Sequence, residues 1–242
     1  ADGFPLTNQA NSSESNTPGT ATQNDVINQV ALGRPNLVVT KGVVSTSRTA
    51  PTPPAFGTGG ATFGAPGSGT PFTGTVSSTG LVTSPIDSDY DGIDAGDRVR
   101  FAVVVENTGS GHKGAFDVVV RDTLPTGFQA IGGGLPNLFL TDGTGAATGY
   151  SFFNATTGTA LTFNSPSFLA AFFGSDGVRI SGTGPTPVSG TFGDNGGVID
   201  PFNATNGRNI LVITYDLRAN DSSQTNPVFA GQSLTNTGLV CE

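Results

Sequence analysis

Hydrophobic and polar residues alternate along several short segments of this chain. The clearest case is the segment RVRFAVVVE at residues 98–106. One face of it carries Val99, Phe101, Val103 and Val105, and the other carries Arg98, Arg100 and Glu106. Because successive side chains of a strand point to opposite faces, this pattern predicts a β-strand with one apolar face. Further strands are predicted at residues 26–32, 35–44, 115–123, 209–217 and 234–240.

Short turns separate these segments. The sequence NTGSGHKG at residues 107–114 predicts a turn that joins the strands on either side of it, so that residues 98–123 form a hairpin. One brief helix is predicted at residues 165–173, because Ser165 is a good N-cap and Pro166 suits a first helical turn. Many short strands with little helix are typical of an all-β sandwich.

The composition fits a turn-rich β-protein that carries a long loop. Glycine (36 residues) and proline (16 residues) are frequent, and only 12% of the residues are charged. Residues 46–84 are a low-complexity stretch of Gly, Pro, Thr and Ser, which predicts a long insertion. We expect Phe56, Phe63 and Phe72 to hold this insertion against the domain.

The charge balance excludes some classes of partner. The net charge is −8 and the chain has two lysines, Lys41 and Lys113, so no basic face for nucleic acid or anionic lipid is expected. No apolar run approaches the ~20 residues of a membrane span. The single cysteine, Cys241, cannot form an internal disulfide.

Three segments occur in an order that resembles a known family. They are NLVVTKGVV at residues 36–44, DAGDRVRFAVVVENTGSG at 94–111 running on to FDVVVRDTLPTGF at 116–128, and AGQSLTNTGLV at 230–240. Together they resemble the bacterial surface repeat known as domain of unknown function 11, which includes isopeptide-forming fimbrial-type domains. The resemblance implies an immunoglobulin-like β-sandwich that is extracellular, lies at the cell surface and is often strung in tandem.

The resemblance also suggests a division of the chain. Leu-Thr-Asn occurs at residues 6–8 and again at residues 234–236. Residues 1–34 are therefore expected to be an extended, mostly loop-like arm, either a donor strand or the tail of a preceding repeat, and residues 35–242 the sandwich. The strand at residues 25–32 is expected to add to an open sheet edge of another copy of the chain.

An acidic segment, DSDYDGIDAGD at residues 87–97, is a candidate calcium loop. Its opening follows the D-x-D-x-D-G pattern, but Arg98 stands where an EF-hand has its bidentate glutamate. The alternative is a solvated acidic turn before a strand. The expected calcium ligands are Asp87, Asp89, Asp91, Asp94 and Asp97.

The fimbrial-type relatives imply an internal covalent bond between a lysine of an early strand and an asparagine of the last strand, assisted by a buried acid. The candidates are Lys41, Asn236 and Asp122, because strand alternation puts each of them on an apolar face. An unpaired lysine there would be costly, and burial lowers the pKa of a lysine. The alternative is an ordinary ion pair between Lys41 and Asp122.

Little in the sequence supports catalysis on an external substrate. His112 is the only histidine, and it lies in a Gly-rich turn where a surface position is expected. No G-x-S-x-G, H-E-x-x-H or P-loop sequence occurs. The chain is therefore expected not to be an enzyme.

The expected function is a structural repeat that builds a cell-surface or filament assembly from copies of itself. Two alternatives stay open: a calcium-dependent adhesin module that binds a glycan or a protein, and a stalk spacer of a large adhesin. Exposure of Tyr90 and Phe72 would favour the adhesin, and their burial would favour a structural unit.

Overall fold

The computed structural model describes residues 4–17, 20–49, 56–147, 149–182, 197–229, 232 and 238–241, with backbone alone for residues 4–17, 20–32, 239 and 241. The strands in chain order are β1 (Phe4–Thr17), β2 (Thr20–Leu32), β3 (Leu37–Thr46), β4 (Ala61–Phe63), β5 (Phe72–Gly74), β6 (Arg98–Asn107), β7 (Val118–Asp122), β8 (Phe128–Ala130), β9 (Leu138–Asp142), β10 (Ser151–Asn154), β11 (Ala160–Leu161), β12 (Val178–Ser181), β13 (Ile210–Ala219) and β14 (Gly238–Cys241). The helices are α1 (Ser78–Thr83) and α2 (Pro166–Phe172).

Two antiparallel sheets form the body of the domain. The β6 sheet has the order β3-β6-β13-β8, and β9 also pairs with β13. The β7 sheet has the order β11-β10-β12-β7-β14. A hydrophobic core lies between them and includes Val103, Leu211 and Ile213 of the β6 sheet together with Val118 and Ile180 of the β7 sheet. The predicted all-β sandwich is confirmed.

Helix α2 packs into this core as the sequence predicts. The Ser165 hydroxyl accepts a hydrogen bond from the Phe168 amide at 3.2 Å, which caps the first turn. Phe168, Leu169 and Phe172 are buried on the side that faces the sheets. The brief helix predicted at residues 165–173 is therefore confirmed.

The insertion covers the outer face of the β6 sheet. Strands β4 and β5 and helix α1 lie within it, and Phe72 and Val76 are buried against Val104 and Val212 in a second core. The expected packing of the insertion on the domain is confirmed by Phe72. The prediction that β6 has one apolar face is wrong, because the insertion buries Ala102 and Val104 on its other face as well.

Arg100 is also buried on that outer face. Its guanidinium makes two bonds to the Asp216 carboxylate, at 2.6 and 2.8 Å. Its remaining N–H groups donate to main-chain carbonyls of the insertion, at Gly64 (3.2 Å), Ser68 (2.9 Å), Thr70 (3.0 Å) and Pro71 (3.1 Å). A planar guanidinium with several donors suits this arrangement, and it fastens the insertion to the sheet.

The predicted hairpin at residues 98–123 is wrong. Strand β6 pairs with β3 and β13, whereas β7 pairs with β12 and β14 in the other sheet. The connection between β6 and β7 therefore crosses from one sheet to the other. Both strands carry an apolar face, and alternation alone cannot distinguish a hairpin from two strands that face each other across a core.

The N-terminal arm was expected to be mostly loop with a single strand, and the structure differs from this expectation. Strands β1 and β2 pair with each other from Phe4↔Leu32 to Thr17↔Thr20, with an irregularity after Glu14. They form a two-stranded sheet of their own, and neither is hydrogen-bonded into the β6 sheet or the β7 sheet within the part of the chain described. We refer to residues 4–32 as the N-terminal hairpin.

Substitution Arg100→Ala should lower the free energy of unfolding by about 3–5 kcal/mol, because it leaves the Asp216 carboxylate without its buried cation. Limited proteolysis should also cleave residues 56–74 faster. Denaturant unfolding and a proteolysis time course measure both effects. Arg98→Ala is the matched control, because Arg98 is exposed on the same strand. Equal stability of the two variants would contradict this role of Arg100.

Candidate functional site

The candidate site is a lysine held between the two sheets. Lys41 lies on the edge strand β3, opposite Val103 of β6. Its side chain is 9% exposed. The ammonium nitrogen lies 5.9 Å from the centroid of the Phe101 ring and 5.7 Å from that of the Tyr215 ring. The predicted position of Lys41 on the inner face is confirmed.

Asp122 is the anionic partner of this lysine. It is the last residue of β7, and its side chain is fully buried. Its Oδ1 accepts hydrogen bonds from the Lys41 ammonium and from the Thr123 amide, the latter at 2.7 Å. Its Oδ2 accepts a bond of 2.8 Å from the Tyr215 hydroxyl. The ion pair of Lys41 with Asp122 thus spans the two sheets.

Tyr215 is a member of the site that sequence reasoning missed. It lies in β13, and its ring stacks on Phe101 at 5.6 Å and meets Phe173 edge-on at 5.4 Å. These contacts aim the hydroxyl at Asp122. The sequence does carry a sign of this role, because Tyr215 lies on the same face of the strand as Leu211, Ile213 and Leu217. A tyrosine on a buried face usually finds a hydrogen-bond partner.

Burial changes the proton affinity of the lysine. It lowers the pKa of Lys41 from 10.5 to about 8, and this effect outweighs the attraction of the nearby Asp122 carboxylate, which raises the pKa. The ammonium therefore gives up its proton more readily than a surface lysine does. A neutral amine is the form that acts as a nucleophile.

The last strand runs directly past this pair. Gly238 of β14 is the register partner of Asp122. A Cβ atom at position 238 would lie 3.6 Å from Cδ of Lys41, so this position faces the lysine. Asn236, the third predicted residue, lies outside the described residues, two positions before Gly238. Its participation stays a prediction.

The acidic loop at residues 87–97 is held by an arginine. Arg48 lies 3.2 Å from the Asp94 carboxylate and 3.7 Å from that of Asp97. Asp97 also accepts a hydrogen bond of 2.7 Å from the Asp94 amide. Asp87, Asp89 and Asp91 are exposed. Among the residues that the structure describes, no three acidic, histidine or cysteine side chains form a group suited to a metal ion, so calcium binding by this loop stays a prediction.

The aromatic residues near the loop are not arranged as an exposed binding surface. Phe72 is buried in the second core. Tyr90 is half-buried and packs against Phe56, with ring centroids 5.6 Å apart. His112 is exposed in the connection between β6 and β7. The burial of Phe72 favours a structural role for the insertion.

Comparisons with models of protein families, with curated proteins and with solved structures found no significant match to this chain. Neither α1 nor α2, the helices in the described part of the chain, has the length and apolar character needed to cross a bilayer.

The stability of the chain without a cross-link should rise with pH across the titration of Lys41. Above a pH of about 8 the folded chain releases this proton, whereas the unfolded chain keeps it until about 10.5. The unfolded chain then binds more protons, so the free energy of unfolding increases, by up to about 3 kcal/mol. Denaturant unfolding of Asn236→Ala over this range measures the increase.

Adding Lys41→Met to the Asn236→Ala chain should remove that pH-dependent gain, while adding Lys113→Met should keep it. A gain of the same size in both double variants would show that another group is responsible.

Proposed function

We propose that this chain is a non-catalytic structural repeat of an extracellular bacterial surface assembly, locked internally by an isopeptide bond between Lys41 and Asn236. The observation that carries the proposal is the buried Lys41–Asp122 pair beside the last strand. A buried ion pair of this kind is weak as a source of stability, because desolvation offsets the attraction. The burial of the Lys41–Asp122 pair is better explained if the Lys41 amine reacts with Asn236.

The chemistry uses groups that the site provides. Proton transfer from the Lys41 ammonium to Oδ1 of Asp122 gives a neutral amine and a neutral carboxylic acid. The amine nitrogen attacks Cγ of Asn236, the acid donates its proton to the departing side-chain nitrogen, and ammonia leaves. The carboxylate then takes back the extra proton from the new amide nitrogen and passes it to solvent. Tyr215 holds the second carboxylate oxygen in place throughout.

The cross-link would tie the beginning of the sandwich to its end. Lys41 lies on β3, the first strand of the sandwich, and the chain leaves through β14. Both are edge strands of their sheets. Tension that pulls on the two ends of the domain would otherwise peel these strands away first. A covalent bond between them would bear the tension directly, so that the strands of the sandwich are not pulled apart.

The N-terminal hairpin supports assembly from copies of the chain. Its two strands pair only with each other in the sheets that the structure describes, so each keeps one open edge. Open strand edges add to the edges of other sheets. β14 and β11 are the outer strands of the β7 sheet and are candidate acceptors in a second copy. Calcium at residues 87–97 would stiffen the loop that leads into β6.

The alternative is a calcium-dependent adhesin module or a stalk spacer of a large adhesin, binding a glycan or a protein. The burial of Phe72 gives the adhesin less support, because its surface would need that ring exposed. We therefore favour the structural repeat.

The intact mass of the folded protein tests the cross-link. We expect the wild-type mass to be lower than the sequence mass by one molecule of ammonia. Lys41→Ala, Asn236→Ala and Asp122→Asn should each show no loss relative to their own sequence masses. Lys113→Ala is the control for lysine content and should keep the loss. A folded wild-type protein with its full sequence mass would rule out the bond.

Electron microscopy of the N-terminal hairpin variants tests assembly. Ile27→Pro removes a backbone donor from β2 and should abolish filaments or sheets, whereas Ile27→Thr preserves strand propensity and should leave them intact. Imaging each protein with calcium and with a chelator shows whether the ion is needed. Dispersed wild-type particles in both solutions, or normal assembly of Ile27→Pro, would contradict strand addition by the hairpin.

A further inference from the structure

A second group of buried and partly buried polar side chains lies at the end of the sandwich opposite the acidic loop. The acidic loop leads into Arg98, the start of β6, whereas this group lies near Asn107, where β6 ends. Its members are Asp142 at the end of β9, Tyr150 just before β10, and Asp200 in the segment before β13. Asp142 and Asp200 are 3% and 7% exposed.

The backbone brings the two aspartates to the same short segment, residues 207–210. The Gly143 amide, next to Asp142, donates to the Gly207 carbonyl at 2.9 Å and to the Ile210 carbonyl at 3.0 Å. The Asp200 amide donates to the Arg208 carbonyl at 3.1 Å. Asn107 fixes Asp200 further, through a bond of 3.0 Å from its side-chain amide to the Asp200 carbonyl.

The Asp142 carboxylate is fixed on one side and unsatisfied on the other. Its Oδ1 accepts bonds from the Thr144 amide (2.8 Å), the Thr144 hydroxyl (2.6 Å) and the Ala146 amide (3.1 Å). Its Oδ2 is buried and has no hydrogen-bond partner among the residues that the structure describes, and the same is true of the Tyr150 hydroxyl. A buried oxygen without a partner is unfavourable, and more so if it is charged, so two such atoms in one place indicate a missing ligand.

The electrostatics show that the three groups share one environment. Burial raises the pKa of Tyr150, and the charges of Asp142 and Asp200 raise it further. Burial also raises the pKa of Asp200 to about 6, Asp142 adds to this effect, and Arg208 opposes it. Two carboxylates therefore lie near each other in a poorly solvated place, and Arg208, which is exposed, offsets them only in part.

We propose that Asp142, Asp200 and Tyr150 form a binding site for a calcium-like divalent cation at this end of the sandwich. Calcium prefers oxygen ligands, and carboxylate oxygens together with a neutral hydroxyl suit it, with water or main-chain carbonyls completing the shell. Asp142 ends a strand of the β6 sheet and Tyr150 leads into a strand of the β7 sheet. The bound ion holds the two sheets together where their connecting loops meet.

This site does not depend on the cross-link, and it differs from the acidic loop at residues 87–97. The tyrosines allow the two cation sites to be told apart. The chain has three tyrosines and no tryptophan. Tyr90 lies in the acidic loop and Tyr150 in the proposed site, so terbium luminescence excited through tyrosine reports which site holds the ion.

Terbium added to the full chain should luminesce strongly, and excess calcium should quench the signal by displacement. Tyr90→Phe, which removes the sensitiser of the acidic loop, should leave a strong signal, and adding Tyr150→Phe to that variant should abolish most of it. Loss of the signal in Tyr90→Phe alone would place the ion in the acidic loop and overturn the proposal. Absence of tyrosine-sensitised luminescence in the wild-type chain would overturn it as well.

Thermal unfolding gives a second readout. Calcium at roughly 100-fold above its dissociation constant should raise the melting temperature by about 5–10 °C. Asp200→Asn should remove the part of this rise that comes from the proposed site. It is preferred to Asp142→Asn because no described hydrogen bond uses the Asp200 side chain. Asp91→Asn is the matched control in the acidic loop, and calcium should still raise its melting temperature. An unchanged calcium effect in Asp200→Asn, or loss of the effect in Asp91→Asn, would contradict the site.

Discussion

The burial of one lysine between two sheets is the constraint on which the sandwich depends. Before the cross-link forms, the Lys41 ammonium lies beside the stacked rings of Phe101 and Tyr215, and a cation there needs an anion within reach. Asp122 meets that need from the opposite sheet, and Tyr215 fixes the carboxylate from a third strand. The relative position of β3, β7 and β13 is therefore set by polar contacts as well as by apolar packing.

A buried cation paired with an anion also lies on the other face of the β6 sheet. There the buried cation is Arg100, its anion is Asp216, and the insertion supplies main-chain carbonyls to the remaining donors. The β6 sheet thus lies between two cores and is covered on both faces. The insertion is part of the packed structure, which agrees with a building block better than with a module that offers a long free loop for ligands.

Strand alternation was enough to predict the sandwich and to place Lys41 and Asp122 on inner faces. Alternation is a local property, so it could not show that β6 and β7 belong to different sheets, nor that Arg100 is covered by residues about thirty positions earlier. Tyr215 was missed because its hydrogen bond to Asp122 depends on how β3, β7 and β13 come together in the fold. The pairing of β1 with β2 was missed because a polar segment carries little periodic signal.

A covalent bond that closes the sandwich between its first and last strands would prevent tension on the chain ends from extending the residues in between. Single-molecule pulling on the two ends of the chain tests it most directly. The wild-type chain should extend only by the residues outside 41–236, and Lys41→Ala should extend by the whole domain. Full extension of the wild-type chain, equal to that of the variant, would rule out the cross-link.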